Sequence, residues 1–266
     1  MAVDEVRDGR VLLEVEDGLA WVTLSHPGRL NAITIAMWRE LTEVFVQLAR
    51  IQGLRCVGIR GADGNFAAGA DIREFPQHRA DHALTMAYHQ DIIAPALEAV
   101  AACAVPVVAV IRGVCVGGGL EIASQCDLRV ATSSARFGVP INRLGFPMAP
   151  GELRGLLALA GPAVTLEILL EGRVFGAAEA QAKGLLTRVV EDADFDAHVD
   201  VLMQRLQRAA PLAARINKET VRRLANNPAP MDAGELAHFF RFADTHDHQE
   251  GVRAFLAGQT PKFTGE

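Results

Sequence analysis

The 266-residue sequence is poor in aromatic side chains, at 6%, and holds only four cysteines. Cys56, Cys103, Cys115 and Cys126 have no CxxC spacing and sit among apolar residues. They exclude a disulfide framework and read as small buried hydrophobes of a reduced compartment. Positive charge is not in excess: 26 Lys and Arg stand against 32 Asp and Glu, a net charge of −6. That balance argues against a general nucleic-acid binder but leaves room for a local basic patch facing a phosphorylated ligand. Long hydrophobic runs are missing too. The longest, Ala99 to Ile111, is too short to span a bilayer and contains Pro106. Met1 to Arg10 has neither the apolar stretch of a signal peptide nor the arginines of a transit peptide, so the expectation is a soluble cytoplasmic protein. No GxxxxGK[ST] loop, GxGxxG after the first strand, GxSxG elbow or HExxH helix occurs. His246 and His248 flank Asp247, but solvated positions on the last helix account for them, and no metal site is expected.

What is present is globular material, 50% hydrophobic and 22% charged, enough for one large or two modest domains. Val11–Val15 and Leu19–Leu24 read as strands joined by the hairpin signal Asp17-Gly18. Thr34 can cap a helix to about Gln52, with Met37, Leu41, Val44, Phe45 and Leu48 on one face. Arg55–Arg60, Pro106–Ile111 and Leu128–Ala131 read as further strands, and Asp81–Ala102 as a helix that Pro95 must bend or break. Beyond Gly145 the pattern is helical: 151–160, 163–170, 177–183, 195–209, a helix from Pro211, and 232–256. Strand–helix alternation in the first half predicts an α/β fold with parallel strands and right-handed crossovers.

Two buried strands each run into a small-residue loop that opens a helix: Asn65-Phe66-Ala67-Ala68-Gly69-Ala70-Asp71-Ile72 and Val116-Gly117-Gly118-Gly119-Leu120-Glu121. Small residues permit close approach to the backbone, and a helix start presents unpaired N–H groups. Two such starts facing one point form an oxyanion hole, although tight helix-on-strand packing would ask for the same residues. Glu121 stands in the first turn of the second helix among apolar neighbours, which raises a carboxyl pKa and suits acid/base chemistry. Helix stabilisation is its other reading.

These two loops resemble those of the enoyl-CoA hydratase/isomerase (crotonase) family. So do the strand Val107–Ile111, the segments Pro27 to Ala32, Cys126 to Ala131 and Phe137-Gly138-Val139-Pro140, and the ending Glu250–Leu256. The resemblance implies a spiral of ββα repeats in two nearly perpendicular sheets, a core over residues 1–200 and a helical trimerisation region over 201–266. It implies a homotrimer or a homohexamer built as a dimer of trimers, an acyl-coenzyme A thioester as substrate, and no separate cofactor, metal, nucleic acid or membrane. The oxyanion amides would be those of Ala70 and Gly118. Arg29, Leu30 and Ala32, the carbonyl of Ala68, and Ala70, Asp71, Ile72 and Gly118 would lie along the coenzyme A, with Arg73 a second cation for its phosphates.

Family hydratases resemble one another in using two glutamates. One corresponds to Glu121. The other directly follows the proline of the Phe-Gly-x-Pro segment, where this chain has Ile141. Isoleucine moves no proton. Glu152, at what reads as the start of a helix after Pro150-Gly151, could supply the second carboxylate, or could simply cap that helix. Ala149 stands where glycine is frequent near the catalytic water. Thr260 stands where a basic residue often meets a phosphate, with Lys262 close by. Hydration of a 2-enoyl-CoA therefore ranks first, because Glu121 occupies the water-activating position. Double-bond isomerisation by Glu121 alone ranks second and decarboxylation of a malonyl-type thioester third. Ile141 also supports a non-catalytic acyl-CoA binding protein of the same fold. Pocket walls are expected from Phe75–Ile92 and Ile141–Met148.

Overall fold

The computed structural model describes residues 9–266. Met1–Asp8, on which most of the targeting reading rests, lie outside the described residues. In chain order the elements are β1 (Arg10–Glu16), β2 (Leu19–Ser25), α1 (Ile35–Leu48), β3 (Cys56–Gly61), α2 (Phe75–His78), α3 (His82–Ala87), α4 (Ala94–Ala102), β4 (Val107–Ile111), β5 (Val114–Val116), α5 (Gly118–Gln125), β6 (Leu128–Thr132) and β7 (Arg136–Gly138). Then follow α6 (Pro150–Glu171), β8 (Val174–Gly176), α7 (Ala177–Ala182), β9 (Arg188–Val190), α8 (Phe195–Arg208), α9 (Pro211–Asn226), α10 (Ala233–Phe240) and α11 (His246–Leu256).

A six-stranded sheet runs β1-β2-β3-β4-β6-β9, and a three-stranded sheet runs β5-β7-β8. The hairpin β1–β2 is antiparallel, and its turn residues Asp17 and Gly18 both have positive φ, the type I′ geometry that matches strand twist. From β2 to β9 the large sheet is parallel, as the strand–helix alternation requires. Every residue of β4 is buried, consistent with a parallel strand covered on both faces. Isolated bridges pair Ala67 with Cys115 and Ile33 with Ala70, so the first small-residue loop lies strand-like beside β5. The strands β5, β7, β8 and β9 have three residues each, too short for a hydrophobic period to reveal.

Helix α1 is capped by Thr34, whose hydroxyl accepts from Met37 N, and it ends at Leu48, where its buried stripe ends. Pro95 marks a real discontinuity. Between α3 and α4, residues Tyr88–Ile93 form a π-helical turn, closed by Ala94 N–H bonding to the His89 carbonyl. Helix α6 is long and apolar enough by composition to cross a membrane. It breaks at Gly161 (φ 69°), ahead of Pro162, and neither half has the roughly 20 residues that a span needs.

Residue 200 falls inside α8, which packs Phe195, Val199 and Met203 against Cys56, Val108 and Val130 on the outer face of the large sheet. Helix α9 is clamped to the core through Asp127: Lys218 Nζ reaches Oδ2 at 2.5 Å and Arg222 Nη2 reaches Oδ1 at 2.9 Å. Asp127 Oδ2 also accepts from Val107 N at 2.7 Å, so this motif residue ties β4 to the helical region. His246 and His248 are the solvated positions expected, but Asp247 between them has a structural role. It is buried, and its carboxylate accepts from Thr264 N and Gly265 N, tying down the tail, while His246 and His248 are exposed. Among the described residues no cluster of metal-ligating side chains occurs. All four cysteines are free; burial pushes the Cys56 and Cys126 thiols up to about 12, where they are unreactive.

Candidate active site

Two loops meet backbone to backbone. Val116 N bonds to Ala67 O at 3.0 Å, and Ala67 N to Val114 O at 2.9 Å. A Cβ built on Gly119 would lie 2.3 Å from Ala67 O, so only glycine allows this approach. Gly117 caps α5 with φ 52°, a left-handed conformation that turns the next N–H inward. A Cβ at Gly118 would stand 3.4 Å from Ala70 N, which places the two predicted oxyanion amides side by side. Among the described residues neither the Ala70 nor the Gly118 N–H donates to a protein acceptor. Beneath them lies Trp38 of α1, fully buried, whose ring a Gly118 Cβ would approach to 3.0 Å.

The amides open onto a cavity of about 100 Å³ lined by Ala68–Ala70, Gly117, Gly118, Glu121, Ile141 and Glu152, with further walls from both predicted segments. Phe75, Arg79, Tyr88 and His89 come from the first, and Leu144 and Phe146 from the second. Glu121 and Glu152 are both buried, at 6% and 3% exposure. They come from the first turns of α5 and α6, so each sits at the positive end of a helix dipole. Burial lifts the Glu121 carboxyl well above the ordinary carboxylate range; the neighbouring Glu152 charge adds to this and Arg79 opposes it. Among the described residues no protein donor bonds to the Glu121 carboxylate, which leaves it free towards the cavity.

Glu152 is held from two sides. Its Oε2 accepts from Ala149 N at 3.2 Å, closing the first turn of α6, and its Oε1 lies 2.5 Å from His89 Nδ1. So Glu152 both caps its helix and faces the cavity; the two readings are not exclusive. His89 Nε2 in turn meets Arg79 Nη2. The Arg79 guanidinium lies over Phe146 at 4.1 Å, Phe75 at 4.3 Å and Tyr88 at 5.2 Å. Sequence reasoning named the wall but missed Arg79 and His89. The available signal was a histidine shortly ahead of a helix-breaking proline.

The loop before α1 is pinned by Asn31, whose Nδ2 donates to Ala62 O and Asn65 O and whose Oδ1 accepts from His26 N. This leaves Arg29 and Leu30 exposed at its tip, Leu30 with φ 49°. Ala32 O is taken by His26 Nδ1, and Leu30 O by Ala68 N. Ala68, Ala70, Ile72 and Gly118 line the cavity. Asp71 and Arg73 are spent on each other. Arg73 Nε donates to both Asp71 oxygens, and Asp71 Oδ1 also caps the turn through Arg73 N. Asp71 thereby offsets part of the Arg73 charge, and the guanidinium holds the Asp71 carboxyl below its usual range. Lys262 is exposed on the tail.

An enoyl-CoA hydratase/isomerase family model matches residues 14–266. The chain belongs to the enoyl-CoA hydratase/isomerase family. A probable enoyl-CoA hydratase of Mycobacterium bovis is 31% identical over 255 residues, covering 96% of this chain and 97% of the relative. The (E)-benzylidenesuccinyl-CoA hydratase of Thauera aromatica is 29% identical over 259 residues, covering 96% and 99%. Among solved structures, an enoyl-CoA hydratase/carnithine racemase from Magnetospirillum magneticum superposes with a TM-score of 0.93 at 46% identity, covering 96% of each chain. The crotonase fold expected from the two loops is thus the fold of this family member, and acyl-CoA chemistry is the family's province.

Proposed function

We propose that the protein adds water across the double bond of a 2-enoyl-coenzyme A, using Glu152 in place of the carboxylate that Ile141 cannot supply. The observation that carries this reading is the convergence of two buried carboxylates, from two different helix starts, on the cavity into which the Ala70 and Gly118 amides open. Their surroundings divide the labour. Glu121, lifted by burial and by the neighbouring Glu152, holds its proton more tightly than an ordinary carboxyl; Glu152, receiving the His89 and Ala149 N–H groups, is the partner aimed at the water.

The step balances. Glu152 takes a proton from water as its oxygen bonds to Cβ, and the displaced π electrons pass to the thioester oxygen. The Ala70 and Gly118 amides hold that enolate, which then collapses as Cα takes the proton of Glu121. Proton return from Glu152 to Glu121 resets the site. This reverses the expectation that Glu121 activates the water. Arg29 and Leu30 flank the coenzyme A in this reading, the Ala68 carbonyl and Ile72 lie along it, and a trimer covers the exposed apolar residues of α10 and α11, among them Phe240, Phe255 and Leu256. Ile141 favours a second reading, isomerisation by Glu121 alone.

Crotonyl-CoA in heavy water separates these readings when product masses are followed for wild type, Glu121→Gln and Glu152→Gln. Hydration by the wild type, reduced about 10²–10⁴-fold in each variant, is expected. Deuterium exchange without hydration would instead assign proton shuttling. Binding with neither reaction would assign a non-catalytic acyl-CoA binding protein.

A further inference from the structure

We infer that His89, fixed by Arg79, is a positioning residue that aims the Glu152 carboxylate into the cavity, so that an Arg79–His89–Glu152 chain does the work of the absent carboxylate at position 141. The inference rests on the two-carboxylate reading and goes beyond it, because neither Arg79 nor His89 has a part in the hydration step itself.

Hydrogen-bond logic fixes the direction of the chain. A guanidinium has donors only, so His89 Nε2, against Arg79 Nη2, must accept. An imidazolium, with both nitrogens protonated, is excluded there. The neutral ring therefore carries its proton on Nδ1 and donates it to Glu152 Oε1, 2.5 Å away. Arg79 makes no ion pair with a carboxylate among the described residues; its charge reaches Glu152 through the imidazole. Three aromatic rings hold the guanidinium in place, so the acceptor role of Nε2 is enforced by packing.

The backbone is also shaped for this contact. His89 lies in the π-helical turn, a widening that recurs at functional sites, and its bond to Glu152 joins residues 63 apart in sequence. Among the described residues, α1, α3 and α4 bring no buried competing charge to that turn. The buried faces of α1 and α4 are wholly apolar, and α3 buries nothing. The ionisable groups facing His89 are Arg79, Glu152, the edge-on ring of Tyr88 and, across the cavity, Glu121.

The test compares His89→Leu, His89→Asn and Arg79→Met in crotonyl-CoA hydration, each with a pH–rate profile and with calorimetric binding of butyryl-CoA as a check on folding. Loss of the N–H donor in His89→Leu is expected to lower kcat about 10²-fold with KM within about 2-fold. It should also move the acid limb of kcat/KM to higher pH, because an ionised carboxylate without its donor takes a proton more readily. The Asn amide, placed near Nδ1, should recover most of the rate and restore the limb. In ¹⁵N-histidine spectra the ring whose signals vanish in His89→Asn should be the neutral Nδ1–H tautomer in wild type and lose that fixed tautomer in Arg79→Met. An Nε2–H tautomer overturns the inference, as does a His89→Leu profile whose limb stays in place whether or not the rate falls. If that happens while Glu152→Gln is inactive, only the chain through His89 is refuted. If Glu152→Gln hydrates normally, the two-carboxylate reading falls with it.

Discussion

The two walls of the cavity are built on different principles. One is backbone: the Ala68–Ala70 and Gly117–Gly119 loops touch through main-chain atoms, and their N–H groups are aimed by local conformation. The other is side chain: His89 from a π-helical turn, Ile141 after β7 and Glu152 from α6 meet only because the chain returns to this point from distant places. A main-chain wall tolerates little change, since a Cβ at Gly119 collides with a carbonyl. A side-chain wall can exchange one carboxylate position for another, provided that the new one is held, as Glu152 is held by His89 and Ala149.

Gly119→Val strikes the first wall and should have the largest effect, separating the loops and leaving no soluble folded protein or no hydration, as expression and circular dichroism would reveal. The second wall should prove exchangeable. In a Glu152→Gln background, Ile141→Glu should recover hydration by about 10-fold, a modest part of what a general acid–base group supplies; no recovery would mean that the cavity position of Ile141 is closed to this chemistry. Glu121→Gln should trade activity for stability. The folded Glu121 holds its proton above the pH at which the unfolded one loses it, so stability falls as pH rises from the ordinary carboxylate range towards the folded value. Denaturant midpoints should therefore match near pH 4, roughly the unfolded value, and favour Glu121→Gln increasingly as pH rises. Smallest is Asp247→Asn, remote from both walls. It weakens the carboxylate's bonds to Thr264 N and Gly265 N and should cost about 1 kcal/mol in the same assay without changing kcat.

The same contrast explains what could be read in advance. The parallel sheet, the capped helix α1 and the two loops are local statements, written as periodicity, a Thr cap and glycines. So is the break ahead of Pro95, although not that it would take π form. Glu152 was visible as a carboxylate at a helix start, but its burial and its partner were not, because His89 lies 63 residues away and no spacing rule joins them. Arg73 has a partner that the reading did not weigh. A cation beside the first loop suits phosphate, and Asp71, two residues earlier, pairs with it. Short strands such as β5 and β7 carry too few residues to declare themselves, and they become strands only by pairing.

The claim that Glu152 replaces a carboxylate at position 141 is tested most directly by the steady-state hydration of crotonyl-CoA by Glu152→Gln, with butyryl-CoA binding measured on the same preparation. A fall in kcat of at least about 10²-fold with unchanged binding is the predicted result. Hydration at the wild-type rate would contradict it and return the chemistry to Glu121 alone.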